Sequence, residues 1–290
     1  MDEKDGFKYE PVPVSLLIYW VSLGGVFFHQ ILTNDLSWNQ VRVDAIIRSS
    51  FIPQWLLLLV RVGAFGSWVL ILRAARNNYH RLTVPVLGKN GRYHAKRLRK
   101  WWNFATFTIW AWIAQMVYFG IVASASVYSM VARRPPSLLI TQLAWVLYEL
   151  SLPTAFFVTI VVYGILVPLV SNAPQFAAAE GLLKGPISRL MHGANSGIMI
   201  FELAFNNFPL SFSHWVFPAL FANIFAAFAW HFFRITGIFY YPFLDYRDKR
   251  WPIAWYTTLA AIYVGIYLIC AKVAQQYHVY QDLIAGEKKY

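Results

Sequence analysis

Long apolar runs alternate with short polar stretches along the chain of 290 residues. A helix that crosses the hydrocarbon core of a bilayer needs about 20 mostly apolar residues. The segments that meet this requirement are 14–32, 51–72, 104–130, 139–168, 187–205, 209–232 and 253–273. The pattern therefore predicts an all-α fold, a polytopic membrane helix bundle of about seven transmembrane helices. Because no soluble domain, low-complexity tract or internal repeat is evident, we expect a single transmembrane domain over residues 1–290.

The composition agrees with a membrane protein. Hydrophobic residues make up 58% of the chain and charged residues only 13%, whereas soluble domains are about a quarter charged. A net charge of +12 can indicate a nucleic-acid partner, but here the basic residues share the chain with long apolar runs. We therefore expect membrane lipids as partners, and no nucleic acid.

One linker, 73–103, carries nine basic residues and no acidic residue. The nine are Arg73, Arg76, Arg81, Lys89, Arg92, Lys96, Arg97, Arg99 and Lys100. Loops rich in Lys and Arg stay on the cytosolic side of a membrane, so the pattern predicts a cytosolic linker and a cytosolic N-terminus. Such a linker could also hold anionic lipid headgroups, although we favour the interpretation that it only sets the topology.

The cysteine and histidine positions argue against a metal site. Cys270 is the only cysteine, which excludes an internal disulfide framework and a cysteine-rich metal site. His192 and His214 are predicted near opposite faces of the bilayer, so they are not expected to bind one ion. We expect no cofactor and no metal.

Ionisable residues inside the spans are predicted to face the interior of the bundle, because they are costly in lipid. Arg61 in the second span and Glu149 in the fourth lie at similar depths, and we favour a structural ion pair between them. Glu202 and His214 lie at a common depth near the outer surface, so Glu202 is interpreted either as an architectural residue or as the hydrogen-bond partner of His214.

The fifth segment, 187–205, is the most informative. Its polar positions recur at helical spacing and form one stripe: His192, Asn195, Ser196, Met199 and Glu202. Gly193 and Gly197 are four residues apart, a spacing that lets another helix approach closely. A tightly packed, hydrogen-bonded helix interface and a functional stripe both remain open on this pattern.

Thr108, Trp112 and Gln115 share one face of the third segment. Thr108 and His192 are predicted at matching depths from the cytosolic side. A histidine can take the proton of a threonine hydroxyl near neutral pH, and such a pair can attack an ester carbonyl. Threonine in a membrane helix more often hydrogen-bonds to the carbonyl one turn back, so the structural interpretation also stays open.

The same residues carry a resemblance to a known family. The run HGANS from His192 to Ser196, followed by Glu202, Pro209, His214 and Pro218, resembles the rolling stone family. Arg61 also fits, as does the run FTIW from Phe107 to Trp110, in which Ile109 replaces the family asparagine. The runs TGIFYYPFLD, 236–245, and LSLPTAFFVTIVVYGIL, 150–166, resemble the wider family of androgen-induced transmembrane lipid hydrolases. The resemblance covers about residues 55–270.

The resemblance implies an activity. The androgen-induced hydrolases cleave fatty acid esters of hydroxy fatty acids with a membrane-embedded threonine and histidine, which become Thr108 and His192 here. Asn195, one turn from His192, is a candidate oxyanion donor, with an orienting or helix-packing role as its competing interpretation. The resemblance thus implies a fatty acid ester as substrate.

The rolling stone branch supports a different class of function. That family is associated with myoblast fusion and has no established chemical activity that carries over. The alternative is therefore a non-catalytic membrane organiser in cell adhesion, fusion or complex assembly, with protein partners bound through helix faces. In either case we expect an integral protein of a eukaryotic endomembrane or the plasma membrane.

Overall fold

The computed structural model describes residues 10–33, 41–79, 83–87, 93–97, 99, 102–172, 183–247 and 252–287. Most of this part of the chain is helical. The α-helices are α1 (Val14–Thr33), α2 (Gln54–Tyr79), α3 (Phe107–Ala132), α4 (Leu138–Val161), α5 (Val167–Ser171), α6 (Pro186–Arg189), α7 (Asn195–Phe205), α8 (Val216–Thr236) and α9 (Pro252–Glu287). A π turn, Val162–Leu166, joins α4 to α5, and another, Leu190–Ala194, joins α6 to α7. Short 3-10 helices lie at Trp102–Ala105, Phe212–Trp215 and Pro242–Leu244.

Six helical segments of the described chain are long and apolar enough to cross a membrane. They are Val14–Thr33, Gln54–Ala74, Phe107–Ala132, Leu138–Ser171, Phe212–Thr236 and Pro252–Tyr277. The all-α polytopic bundle is therefore confirmed, and the chain is an integral, multi-pass membrane protein. The predicted segment 187–205 is also helical, but it is more polar and is not among these six.

The exposed faces of the bundle are apolar. Helix α1 buries Leu16 and Phe27, while side chains such as Ile18, Val21 and Phe28 are more than half exposed. In a multi-pass protein such a surface contacts lipid tails, as expected from the sequence. Inside the bundle, α3 packs against α2 and α4, and α9 packs against α4 and α8. The core between these helices is rich in aromatic rings, for example Trp68 and Trp112, whose ring centroids are 4.1 Å apart.

A capping residue at the start of α3 and a glycine turn at the end of α8 set the ends of these two helices. Thr106 caps α3, because its hydroxyl accepts a hydrogen bond from the amide of Ile109 at 3.4 Å. At the end of α8, Gly237 adopts a left-handed conformation with φ 72°, which glycine reaches without steric cost. This residue turns the chain into the segment 238–247, which packs under the start of α3.

The basic linker contains a β-hairpin that the sequence pattern did not predict. Strands β1 (Thr83–Leu87) and β2 (Tyr93–Arg97) pair antiparallel, with Thr83 opposite Arg97 and Leu87 opposite Tyr93. Lys96 anchors this hairpin, because its Nζ donates to the carbonyl of Thr236 at 2.6 Å and lies 5.4 Å from the ring centroid of Trp102. Among the nine basic residues, those outside the described residues are Arg81, Lys89, Arg92 and Lys100. The cytosolic orientation and the single domain over 1–290 stay predictions.

The buried ion pairs differ from those expected. Arg61 does not pair with Glu149; its Nη2 lies 2.5 Å from Oε1 of Glu202, and Tyr118 donates to the same oxygen at 2.6 Å. Glu149 instead contacts Nδ1 of His214. Both predicted pairings were wrong because they used depth alone. Depth does not say which helices are neighbours, and the structure brings α7 to α2 and the 214 turn to α4.

The glycine prediction was also wrong, whereas the polar stripe is buried as predicted. Gly193 is half-buried and Gly197 is exposed. A Cβ added at either residue would meet no atom within 4 Å, so these glycines do not mark a close helix contact. The buried members of the stripe are His192, Asn195, Ser196, Met199 and Glu202. The buried face of the segment is therefore its polar face.

Candidate active site

The structure brings Thr108 and His192 together. Thr108 is the second residue of α3, and its Oγ1 lies 3.4 Å from Nε2 of His192. Their exposed fractions are 6% and 4%, so the contact is shielded from the surroundings. At this separation a small movement makes a full hydrogen bond, and contacts of this length are common in the unliganded state of catalytic pairs.

His192 lies within the π turn that separates α6 from α7. A π turn leaves helical carbonyls without their usual partners, and such turns are frequent at functional sites. Two neighbouring helices supply donors for these carbonyls. The indole of Trp112 donates to the carbonyl of Met191 at 3.0 Å, and the hydroxyl of Thr159 donates to the carbonyl of His192. The main chain at His192 is therefore held by both α3 and α4.

Ser188 contacts the other ring nitrogen of His192. Its Oγ lies 2.8 Å from Nδ1, and it is buried one helical turn before the histidine. When Nδ1 carries the proton, it donates a hydrogen bond to Oγ of Ser188, and the lone pair of Nε2 then faces Thr108. Sequence reasoning missed Ser188, although its spacing of four residues before His192 placed it on the same helix face.

Tyr241 contacts Thr108 from the other side. Its hydroxyl accepts a hydrogen bond from the amide of Phe107 at 2.9 Å, and it also interacts with the amide and the hydroxyl of Thr108. These amides belong to the first turn of α3, where main-chain donors lack helical partners. Burial raises the pKa of Tyr241, so the phenol keeps its proton and can donate it. Sequence reasoning missed this role, although the run 236–245 was singled out.

Within the described residues, the hydrogen bonds of the Asn195 side chain do not reach the pair. Its side chain is fully buried, and its Oδ1 accepts from the amide of Ser196 at 2.7 Å. Within the described residues its Nδ2 has no hydrogen-bond partner, and no hydrogen bond joins it to Thr108 or His192. Gln115 is likewise buried without partners in this part of the chain. The predicted oxyanion role of Asn195 stays a prediction.

An apolar pocket opens at Thr108. Its volume is about 100 Å³, or about 920 Å³ when the space open to the outside is included. Helices α1, α4, α8 and α9 form its walls, and Phe107, Thr108 and Tyr241 form one end. His192 and Asn195 do not line it. Thr108 therefore both lines the pocket and contacts His192.

The described residues contain no group of three or more His, Cys, Asp or Glu side chains that could hold a metal ion. The fold and the site together define a multi-pass helical membrane protein with a buried threonine–histidine contact at the end of an apolar pocket. No family model, no curated protein and no solved structure matches the chain. The resemblance to the rolling stone and androgen-induced families therefore stays a prediction.

Proposed function

We propose that the chain is an intramembrane lipid ester hydrolase in which Thr108 is the nucleophile and His192 the general base. The observation that carries the proposal is the 3.4 Å contact between Thr108 Oγ1 and His192 Nε2 beside a mostly apolar pocket. The predicted family resemblance supports the same two residues and suggests fatty acid esters of hydroxy fatty acids as the substrate class.

In the acylation step, Nε2 of His192 removes the proton of the Thr108 hydroxyl. The oxygen of Thr108 then forms a bond to the ester carbonyl carbon. When the tetrahedral intermediate collapses, the bond between this carbon and the alcohol oxygen breaks. His192 returns the proton to that oxygen, so the alcohol half leaves as a hydroxy fatty acid and the acyl group stays on Thr108.

In the deacylation step, His192 removes a proton from a water molecule, whose oxygen attacks the acyl-threonine carbonyl. The bond to Thr108 breaks, and His192 gives the proton back to the threonine oxygen. The fatty acid leaves through the pocket. Ser188 supports both steps, because a hydrogen bond from Nδ1–H to its Oγ stabilises the imidazolium that forms twice in the cycle.

The negative charge on the carbonyl oxygen requires a donor. Tyr241 is the donor that the geometry favours, because its hydroxyl contacts Thr108 and the residue lines the pocket. Asn195 has a free Nδ2 within the described residues, but it does not line the pocket. We therefore assign the oxyanion contact to Tyr241, and Asn195 would have to move to replace it.

The experiment offers purified protein in lipid nanodiscs a panel of fatty acid esters of hydroxy fatty acids and simple esters. We expect turnover by the wild type and its loss in Thr108→Ala and His192→Ala. Thr141→Ala is the matched control, because Thr141 is also buried and, within the described residues, its hydroxyl hydrogen-bonds only to the carbonyl of Ser137. An absence of wild-type turnover over the whole panel would contradict the enzyme and favour the non-catalytic organiser.

A further inference from the structure

The pocket beside Thr108 is apolar, but several of its lining residues carry polar groups. Most of these groups are already hydrogen-bonded within the protein. The indole of Trp20 donates to the carbonyl of Asn223 at 2.8 Å, and the hydroxyl of Tyr256 donates to the carbonyl of Leu244 at 3.0 Å. The hydroxyls of Tyr19 and Tyr263 contact Thr257 and Thr154. These groups are therefore occupied before any ligand enters.

The side-chain amide of Asn223 is the exception. Asn223 lies in the middle of α8 and lines the pocket, and only 8% of it is exposed. The main-chain carbonyl of Asn223 accepts a hydrogen bond from the indole of Trp20, but within the described residues its side-chain amide makes no hydrogen bond. The side-chain atoms of Asn223 are not among the fully buried polar atoms that lack a partner, so the amide can still hydrogen-bond to a molecule beside it. A free amide in the wall of an apolar pocket therefore indicates a polar atom on the ligand.

Gly24 on α1 leaves room for this amide. A Cβ added at Gly24 would lie 2.9 Å from Nδ2 of Asn223, which is too close for the amide to keep its position. The next residue, Gly25, has no atom within 4 Å of an added Cβ. Glycine in a helix is unfavourable relative to alanine, and at Gly24 it accommodates the polar side chain in the pocket wall.

Asn223 and the reacting end of the pocket are close in depth. Phe221 and Phe225 flank Asn223 along α8, and their ring centroids lie 5.5 and 5.0 Å from that of Phe107. Phe107 precedes Thr108. Asn223 and Thr108 therefore lie at similar depth, and both line the pocket, whose other lining residues are mostly aromatic and aliphatic.

We propose that Asn223 is a specificity-determining residue that binds a neutral oxygen substituent, a hydroxyl or carbonyl, part-way along the lipid chain in this pocket. The amide offers both a donor and an acceptor, which a hydroxyl complements in full. A charged headgroup does not fit, because a neutral amide in apolar surroundings does not compensate a desolvated charge. The inference deepens the proposed function and rests on it for the direction of the chain, while the binding itself requires no turnover.

Binding distinguishes this proposal from the hydrolase proposal. The probes are a mid-chain hydroxy-octadecanamide and octadecanamide, which lack an ester and differ by one hydroxyl. We measure their affinities for the wild type in nanodiscs by quenching of tryptophan fluorescence. We expect the hydroxylated probe to bind roughly tenfold more tightly, the effect of one buried hydrogen bond. Equal affinities would overturn the proposal, whether or not the protein hydrolyses esters.

Substitutions test whether Asn223 causes the preference for the hydroxylated probe. Asn223→Leu should remove it and bind the unsubstituted probe at least as well as the wild type does. Gly24→Ala should reduce it, because the new Cβ displaces the amide, whereas Gly25→Ala should retain it. A preference that survives in Asn223→Leu would overturn the assignment. If the preference follows these variants while no ester is hydrolysed, the binding site stands and the hydrolase proposal fails.

Discussion

The Oγ of Ser188 lies 2.8 Å from Nδ1 of His192, and both side chains are buried. The contact fixes one ring nitrogen of the imidazole and leaves the other facing Thr108. A hydroxyl thus takes the position that a carboxylate holds in many nucleophile–histidine sites. A neutral partner suits a membrane interior, because it adds no buried charge to be compensated.

The first prediction concerns Ser188. Ser188→Ala should lower kcat roughly tenfold with little change in KM, because the imidazole loses the hydrogen bond that orients it. Ser188→Thr keeps the hydroxyl and should restore most of the rate. Ser126→Ala is the control, since in the part of the chain that the structure describes this buried hydroxyl hydrogen-bonds only to the carbonyl of Val122. A wild-type kcat in folded Ser188→Ala would show that the contact is structural.

The second prediction concerns Tyr241. Tyr241→Phe removes the proposed oxyanion donor and should lower kcat by roughly 10²–10³-fold, the usual effect of losing such a donor. Steady-state hydrolysis and thermal unfolding are measured on the same preparation. Tyr256→Phe is the matched control, because Tyr256 also lines the pocket but donates to the carbonyl of Leu244. Equal rates for the two variants would contradict the assignment.

The third prediction concerns the buried pair of Arg61 and Glu202. Arg61→Leu should reduce the free energy of unfolding by roughly 3–5 kcal/mol, because it leaves the Glu202 charge buried and unpaired. Adding Glu202→Leu should recover much of this loss. A double-mutant cycle in mixed micelles measures the coupling.

The same cycle with Glu149 tests the corrected pairing. Arg61→Leu and Glu149→Leu should be additive within about 0.5 kcal/mol, because the two side chains belong to separate networks. A larger coupling of Arg61 to Glu149 than to Glu202 would favour the pairing expected from depth and would contradict the contact between Arg61 of α2 and Glu202 of α7.

The sequence predicted features that depend on position along one helix. Apolar run length indicates a span, and the 3.6-residue period placed His192 and Glu202 on one face, which is buried. The matching depths of Thr108 and His192 also followed, because both residues were placed a few positions inside a span from the same side, whereas their contact depends on which helices are neighbours. Depth is a local count, so it can be obtained without knowing the lateral order of the helices.

Features that depend on neighbours in the plane of the membrane could not be predicted. Depth alone allowed more than one pairing among four ionisable residues: Arg61, Glu149, Glu202 and His214. The packing of the helices decides which of these pairs form. Tyr241 reaches Thr108 from a segment more than a hundred residues later in the chain, and no periodicity links the two. The loop conformation that places Tyr241 depends on the left-handed turn at Gly237.

The covalent intermediate tests the central claim most directly. Wild-type protein is mixed with a fatty acid ester of a hydroxy fatty acid, quenched in acid during turnover, and digested for peptide mass spectrometry. We expect the acyl mass on the peptide that contains Thr108, and its absence in Thr108→Ala. Hydrolysis at the wild-type rate by Thr108→Ala, or an acyl group on a different residue, would contradict the role of Thr108 as nucleophile.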